Sequence, residues 1–355
     1  MNKHYRRSAN KNPSETQRMK TTPRSWLIGI LLLPLILSGC GVIDALDGDQ
    51  AVRVYSGRHY DLEEAFQEYA SETGVDVEFL YGGDAELRER LRTEGDDTLA
   101  DVFMTVDAAN LQIAADEDLL QPMDSDVLDD LPDNIVHPDQ LWVGLSKRVR
   151  TIMYHPERVD PSELSTYEDL ADPKWHGRLC MRNSNNVYTQ SLVASLIHHH
   201  GYDGALGIVE GWVANDTEIL SNDTLILETI AAGGCDVGIT NHYYLARLLE
   251  DDPEFPVLPF WANQGGRGVH VNISGAGVTV DADNPDPATD LIEWLATDGQ
   301  EAFVYGNHEY PVNPDVEPPP IVRDWGAFTE DPLNAAEFAS LNADAIRLMN
   351  EAGYD

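Results

Sequence analysis

Basic residues are scarce in this sequence: 23 Lys and Arg stand against 62 Asp and Glu. Seven of the basic ones (Lys3, Arg6, Arg7, Lys11, Arg18, Lys20 and Arg24) fall in the first 40 residues, which hold one acid. The rest of the chain therefore has 16 basic and 61 acidic residues, a net charge near −45 with histidine neutral. A chain of that sign repels phosphate backbones, which excludes nucleic acid as a partner. The acids are dispersed, as at Asp96-Asp97, Asp124 to Asp133 and Glu250 to Glu254, and none is spaced like an EF-hand calcium loop. They read as a salt-adapted, halophilic type of surface. Cysteine is almost as rare, with three in 355 residues. Cys180 and Cys235 have no metal-ligand spacing, and both two buried thiols and one bridge remain open for them. Long apolar runs are missing too. The longest, Trp26 to Leu37, has about 12 residues, too few to cross a bilayer. No Gly-x-Ser-x-Gly elbow and no His-Glu-x-x-His helix occurs, so a hydrolase has no support and no enzyme is expected. Internal repeats and low-complexity segments are also lacking.

What is present begins with an export signal. A basic stretch, the Trp26 to Leu37 run and the small residues Ser38-Gly39 have the layout of a secretory leader. Cys40 directly after them makes it resemble a bacterial lipoprotein signal, with Cys40 lipidated as the mature N-terminus. Residues 1–40 are read as signal and 41–50 as a tether. The expected location is the periplasmic side, held to the membrane through the lipid only.

From Ala51 onward strands alternate with helices. Ala51 to Tyr55, Val75 to Tyr81 and Ala100 to Thr105 read as strands, with helices from Asp61 to Glu72 and Ala85 to Glu94 ended by Gly74 and Gly95. A second βα series follows: strand Leu179 to Arg182, helix Tyr188 to His199, helix Asp223 to Ala232, and strand Val237 to Thr240. Such alternation predicts an α/β fold with a mostly parallel sheet and helices on both faces. Gln140 to Tyr154 and Gly265 to Gly277 are β-rich and suit crossings between two lobes. Residues 51–147 plus about 270–305 make lobe 1, and 148–269 plus about 306–355 make lobe 2, a two-lobed solute-binding fold of type II with the ligand in the cleft. A monomer is expected.

The candidate ligand residues sit at strand-to-helix junctions, where open α/β sheets bind ligands. His59 and Tyr60 follow the first strand, Tyr188 follows an Asn-rich loop, and Tyr243-Tyr244 follow the Val237 strand, with Asn241 as a helix cap. Phenolate is a hard anionic donor and suits a hard trivalent cation. A free tyrosine has a pKa of about 10, so only a strongly charged metal holds it deprotonated at neutral pH. Fe(III) with four phenolates and a neutral imidazole leaves one surplus negative charge, for which Arg58, Arg148 and Arg247 are the candidate partners. Each piece alone also suits core packing. His198-His199-His200 reads as a solvated helix end before Gly201, His242 as a neighbour of the ligands, His270 as part of a crossing strand, and Tyr310 as packing.

From about Val52 to the C-terminus the chain resembles the ferric-iron-binding proteins of bacterial ABC importers. The matching pieces are Tyr55 to Tyr60 (Tyr-Ser-Gly-Arg-His-Tyr), Leu164 to Trp175 and Asn185 to Ser195. They continue with Asn241-His-Tyr-Tyr244 and Gly266 to Gly275. The resemblance implies Fe(III) as cargo, an ABC permease as partner, and the Tyr243-Tyr244 pair as ligands. In the tyrosine-rich subclass it adds Tyr60 and Tyr188, with His59 as a variable fifth ligand. Other subclasses use a glutamate after the third strand, and here Val106 occupies that position. That departure favours the four-tyrosine arrangement without a required anion and leaves Asp107 behind the ligands. Fe(II), or an organic solute such as a polyamine or thiamine, are the alternatives in the same fold.

Overall fold

The computed structural model describes residues 51–59 and 63–355. The expected leader and tether (1–50) and the candidate ligand Tyr60 lie outside the described residues, as does the expected helix start at Asp61. The chain opens with β1 (Val52–Ser56), α1 (Glu63–Thr73), β2 (Val77–Tyr81), α2 (Asp84–Glu94), β3 (Val102–Thr105) and α3 (Ala108–Asp116). These are the βα units of the sequence pattern, and β1 pairs in parallel with both β2 and β3. After short β4 (Leu120–Gln121) comes β5 (Val143–Tyr154), then β6 (Leu179–Arg182), α4 (Val187–Ala214), β7 (Glu218–Leu220) and α5 (Asp223–Ala232). Next are β8 (Val237–Asn241), α6 (His242–Asp251), β9 (Leu258–Phe260) and β10 (Val271–Thr279). The chain ends in α7 (Pro285–Ala296), α8 (Gln300–Tyr305), α9 (Pro320–Arg323), α10 (Ala335–Ser340) and α11 (Asn342–Ala352).

The strands run in the order β2-β1-β3-β10-β5-β8-β6-β7, with β4 on β10 and β9 on β5. The flanks are parallel, as expected, but the centre is not: β10 is antiparallel to β3 and β5, and β5 is antiparallel to β8. The reason is that β5 and β10 belong to no βα unit. Residues 143–149 of β5 pair with β10 and residues 150–154 pair with β8, so one strand serves both sheet halves. Every residue of β10 is buried, as a run of small and branched side chains covered on both faces should be.

The expected helix end near His199 holds, since Gly201, with a φ of 70° and a ψ of 168°, breaks the helix; a second helix follows directly to Ala214, and α4 comprises the two. Toward the C-terminus α8 follows α7 after three residues and α11 follows α10 after one. Cys180 and Cys235 form a disulfide. They sit in a small apolar cluster with Met153, Ile226, Ile230, Leu245 and Val257, which packs under α6. The main core holds the fully buried Trp142, Trp175 and Trp212, with α11 along α4 and α10 against α3. Among the described residues no helix is long and apolar enough to cross a membrane.

Candidate metal centre

Alternate residues of a strand share a face, so Arg148 and Arg150 of β5 point the same way. In register, Asn272 of β10 stands opposite Arg148 and Asn241 of β8 opposite Arg150. The four residues make a polar seam across three central strands, and all are buried. Buried guanidinium groups need charged partners, and the chain brings them from afar. Glu309, wholly buried, takes Arg58 Nη1 at 2.5 Å and Arg148 Nε at 3.1 Å, together with Ser146 and the Asn307 amide. Burial alone would raise its pKa, but Arg58 and Arg148 hold it down at about 2. Asp223 takes Arg150 Nη1 at 2.8 Å and a close contact from Arg182. Each carboxylate thus faces two guanidinium groups, and the floor of the site is electropositive.

Over this floor stand the first turns of two helices. β6 and β8 are parallel neighbours, and α4 and α6 start from their C-terminal ends. Tyr188 is the second residue of α4, its backbone N–H donating to the N-cap carboxamide of Asn186 at 3.1 Å. Tyr243 is the second residue of α6 and fully buried. Its hydroxyl accepts from Arg148 Nη2 at 2.5 Å and from Asn241 Nδ2 at 3.0 Å. Asn241 does occupy the N-cap position, but its carboxamide makes no capping bond, being committed to Tyr243 and Arg150. The Tyr243 and Tyr244 rings are 4.5 Å apart. Arg148 lies 5.0 Å from the Tyr188 ring and 4.6 Å from the Tyr243 ring, and Arg182 lies 6.0 Å from Tyr188. Arg247, one turn along α6, covers both rings of the pair at 5.3 and 5.6 Å while it donates to Asn307. Three phenols thus gather around cationic side chains at helix N-termini, where the helix dipole also favours negative charge.

The remaining sequence candidates fall elsewhere. His59 is exposed and meets the edge of Tyr81 at 5.6 Å. Arg58 lies under Phe303 at 4.3 Å and, among the described residues, is joined to Arg148 through Glu309, which the two share. His242 reaches the His308 carbonyl (2.9 Å) and the Tyr310 ring, and burial pushes its pKa down to about 4. His270, just before β10, packs on Phe338, and burial lowers it to about 3. Tyr310 is a packing residue whose hydroxyl donates to the Val322 carbonyl. His199 and His200 are bonded to Asp331 and Glu168 at 2.7 Å, and His198 is near Glu337, so the triplet ties α4 to its neighbours. Val106 contributes no carboxylate: its carbonyl accepts from Arg148 Nη1 at 2.6 Å, and its N–H donates to Asp84. Among the described residues no group of three or more His, Cys, Asp or Glu is placed to hold a metal.

Sequence reasoning missed Arg182, Asp223 and Glu309. Arg182 was within reach, because it ends β6 at the same edge of the sheet as the tyrosines. Nothing in the local pattern marks Asp223 or Glu309.

Two α/β halves joined through long central strands, with polar helix starts grouped at strand ends, define a two-lobed solute-binding protein of type II. The chain belongs to the bacterial extracellular solute-binding protein family, whose model matches residues 97–324. It is 40% identical over 335 residues to iron uptake protein A1 of Synechocystis, covering 90% of this chain and 93% of that one. It is 26% identical to the Fe(3+)-binding periplasmic protein of Serratia marcescens, covering 87% and 92%. A Trichodesmium protein solved in complex with iron and citrate superposes with a TM-score of 0.83 at 44% identity, over 86% of this chain and 100% of that one. These relatives are uptake and binding proteins rather than enzymes.

Proposed function

We propose that this chain is an exported, lipid-anchored ferric-iron-binding protein that captures Fe(III) through tyrosine phenolates and hands it to an ABC permease. The ligand set is Tyr60, Tyr188, Tyr243 and Tyr244, with His59 as a fifth ligand, and Cys40 carries the lipid. The observation that supports it most is the convergence of three phenols from two helix starts on Arg148, Arg182 and Arg247, above a floor where guanidinium groups outnumber carboxylates. Such a floor favours phenolate over phenol and so favours a metal that needs anionic oxygen. It disfavours a polyamine or thiamine, because an organic cation would meet arginines where it needs carboxylates or an open aromatic box. The naming of relatives for iron uptake and Fe(3+) binding points the same way. Closure over the metal would exclude water and strengthen the phenolate–iron attraction, and protonation of the phenolates or reduction to Fe(II) would weaken it.

The test is a visible absorption spectrum of the mature protein with and without ferric citrate. A broad charge-transfer band, bleached by dithionite and reduced or lost in both Tyr243→Phe and Tyr244→Phe, is expected. A colourless protein that gains no thermal stability from iron would overturn the reading. Stability gained from Fe(II) without colour would keep the metal and change its oxidation state.

A further inference from the structure

Asp107 performs two tasks with its two carboxylate oxygens. Oδ1 caps α3, accepting from the Ala109 N–H at 2.7 Å. Oδ2 accepts from Ser191 Oγ at 2.7 Å and from Asn272 Nδ2 at 2.6 Å. These partners come from different parts of the fold. Asp107 follows β3 in the sheet half built around β1. Ser191 is on α4, which begins at β6 in the other half, three residues after Tyr188 and so on the same helix face. Asn272 belongs to β10, directly opposite Arg148. The Asn272 amide also reaches Ser191 Oγ at 2.9 Å, and its carbonyl oxygen accepts from the Ala108 N–H at 3.2 Å. All three side chains are buried.

Beside it, the Val106 carbonyl accepts from Arg148, the same guanidinium that donates to Tyr243. Two consecutive residues therefore grip both phenol-bearing helices. Val106 reaches α6 through Arg148, and Asp107 reaches α4 through Ser191. The Ser191 hydroxyl has a second acceptor within its own helix, the Val187 carbonyl at 2.9 Å. It can leave Asp107 without becoming an unsatisfied buried donor, so the bond between the sheet halves is one that opens cheaply. Asp107 likewise keeps its capping bond.

We propose that Asp107 and Ser191 form a releasable latch that holds the half carrying Tyr188 and Tyr243 against the half carrying Asp107 and His59 before the metal arrives. The proposal rests on the ferric-binding reading above. Asp107 and Ser191 are positioning residues and touch no metal. Opening the latch lowers the population of the binding-competent arrangement, and apparent affinity falls by that fraction.

The experiment compares the parent with Ser191→Ala, Ser191→Thr and Ser195→Ala. Ser195 is a wholly buried α4 residue one turn further along, whose hydroxyl has no hydrogen-bond partner among the described residues, so its removal controls for loosened helix packing. Small-angle X-ray scattering of the metal-free proteins reads the population of open forms, and transfer of iron to EDTA reads release. Ser191→Ala is expected to enlarge the metal-free radius of gyration, leave the ferric form unchanged, and speed release about tenfold. Ser191→Thr, which keeps the hydroxyl, should restore both values, and Ser195→Ala should match the parent. Metal-free scattering and release in Ser191→Ala equal to the parent would overturn the latch, as would equal acceleration by Ser195→Ala. A parent protein that binds no iron would overturn the function instead, while the scattering would still decide the latch.

Discussion

At the scale of single residues, Asp84 is the most exposed to a titration test. It begins α2, is buried, and accepts from the Val106 N–H at 3.2 Å through Oδ2, while Oδ1 has no hydrogen-bond partner among the described residues. Burial, followed by the nearby Asp107 charge, raises its pKa from 3.8 to about 7. It is packed so closely against Gly57 that a Cβ there would lie 1.5 Å from Oδ1, so a larger residue in the turn before His59 would have to displace the Asp84 carboxyl. A folded pKa above the unfolded one means that the fold prefers the protonated acid. The stabilising contribution is then complete below about pH 3.8 and is lost as pH rises through about 7. Asp84→Asn, which mimics the neutral form, should raise the Tm at pH 8 and lose most of that advantage by pH 5. An equal Tm difference at both pH values would show that charge is not the cause. The tyrosines were legible at this scale because a strand-to-helix junction is a local pattern, visible within a few residues of Tyr188 or Tyr243. The charges beneath them were not. Glu309 meets Arg58 across 251 residues of sequence, and no periodicity encodes such a meeting.

At the scale of elements, β6, β8 and the helices they launch form the platform of the site, and the Cys180–Cys235 disulfide joins them. Cys180 lies in β6 and Cys235 directly precedes Asp236 and β8, the two cysteines being 55 positions apart in the sequence. Closing a loop of that length in the unfolded chain is worth about 4 kcal/mol in the chain-entropy model. The bridge also touches the cluster containing Leu245 of α6, so the helix of the tyrosine pair rests on it. Cys180→Ala/Cys235→Ala is expected to lower the urea midpoint by an amount matching a loss of that order. The m-value should rise, because the uncrosslinked unfolded chain exposes more surface. Unfolding free energy equal to the parent would mean that the bridge does not constrain the unfolded state. Most of the flanking elements were readable from apolar periodicity and glycine stops, among them α1 ending at Gly74 and α2 at Gly95. The antiparallel centre was not readable, because β5 and β10 have the composition of any buried strand and only their partners set their direction. The break at Gly201 was readable as a helix-ending glycine; what escaped is the second helix that follows it directly to Ala214, where α11 packs along α4.

For the whole molecule, charge is divided between outside and inside. The centre gathers arginines around Glu309 and Asp223, whereas the surface displays acids with few cations near them, as at Asp96-Asp97, Asp129-Asp130 and Asp251-Asp252. The two populations should respond differently to salt. Exposed like charges repel over about 10 Å at 0.1 M ionic strength and about 3 Å at 1 M, whereas buried pairs are screened far less. For residues 41–355, with a net charge near −45, self-repulsion opposes the compact state. Raising KCl from 0.1 to 1 M should therefore increase the Tm while the iron charge-transfer band, governed by the buried centre, keeps its intensity and position. If Tm stayed flat or fell over that range, the acidic surface would not be a salt adaptation. If the band changed along with Tm, the metal centre would be open to bulk ions, and the buried arginine floor could not be what holds the phenolates in their charged form.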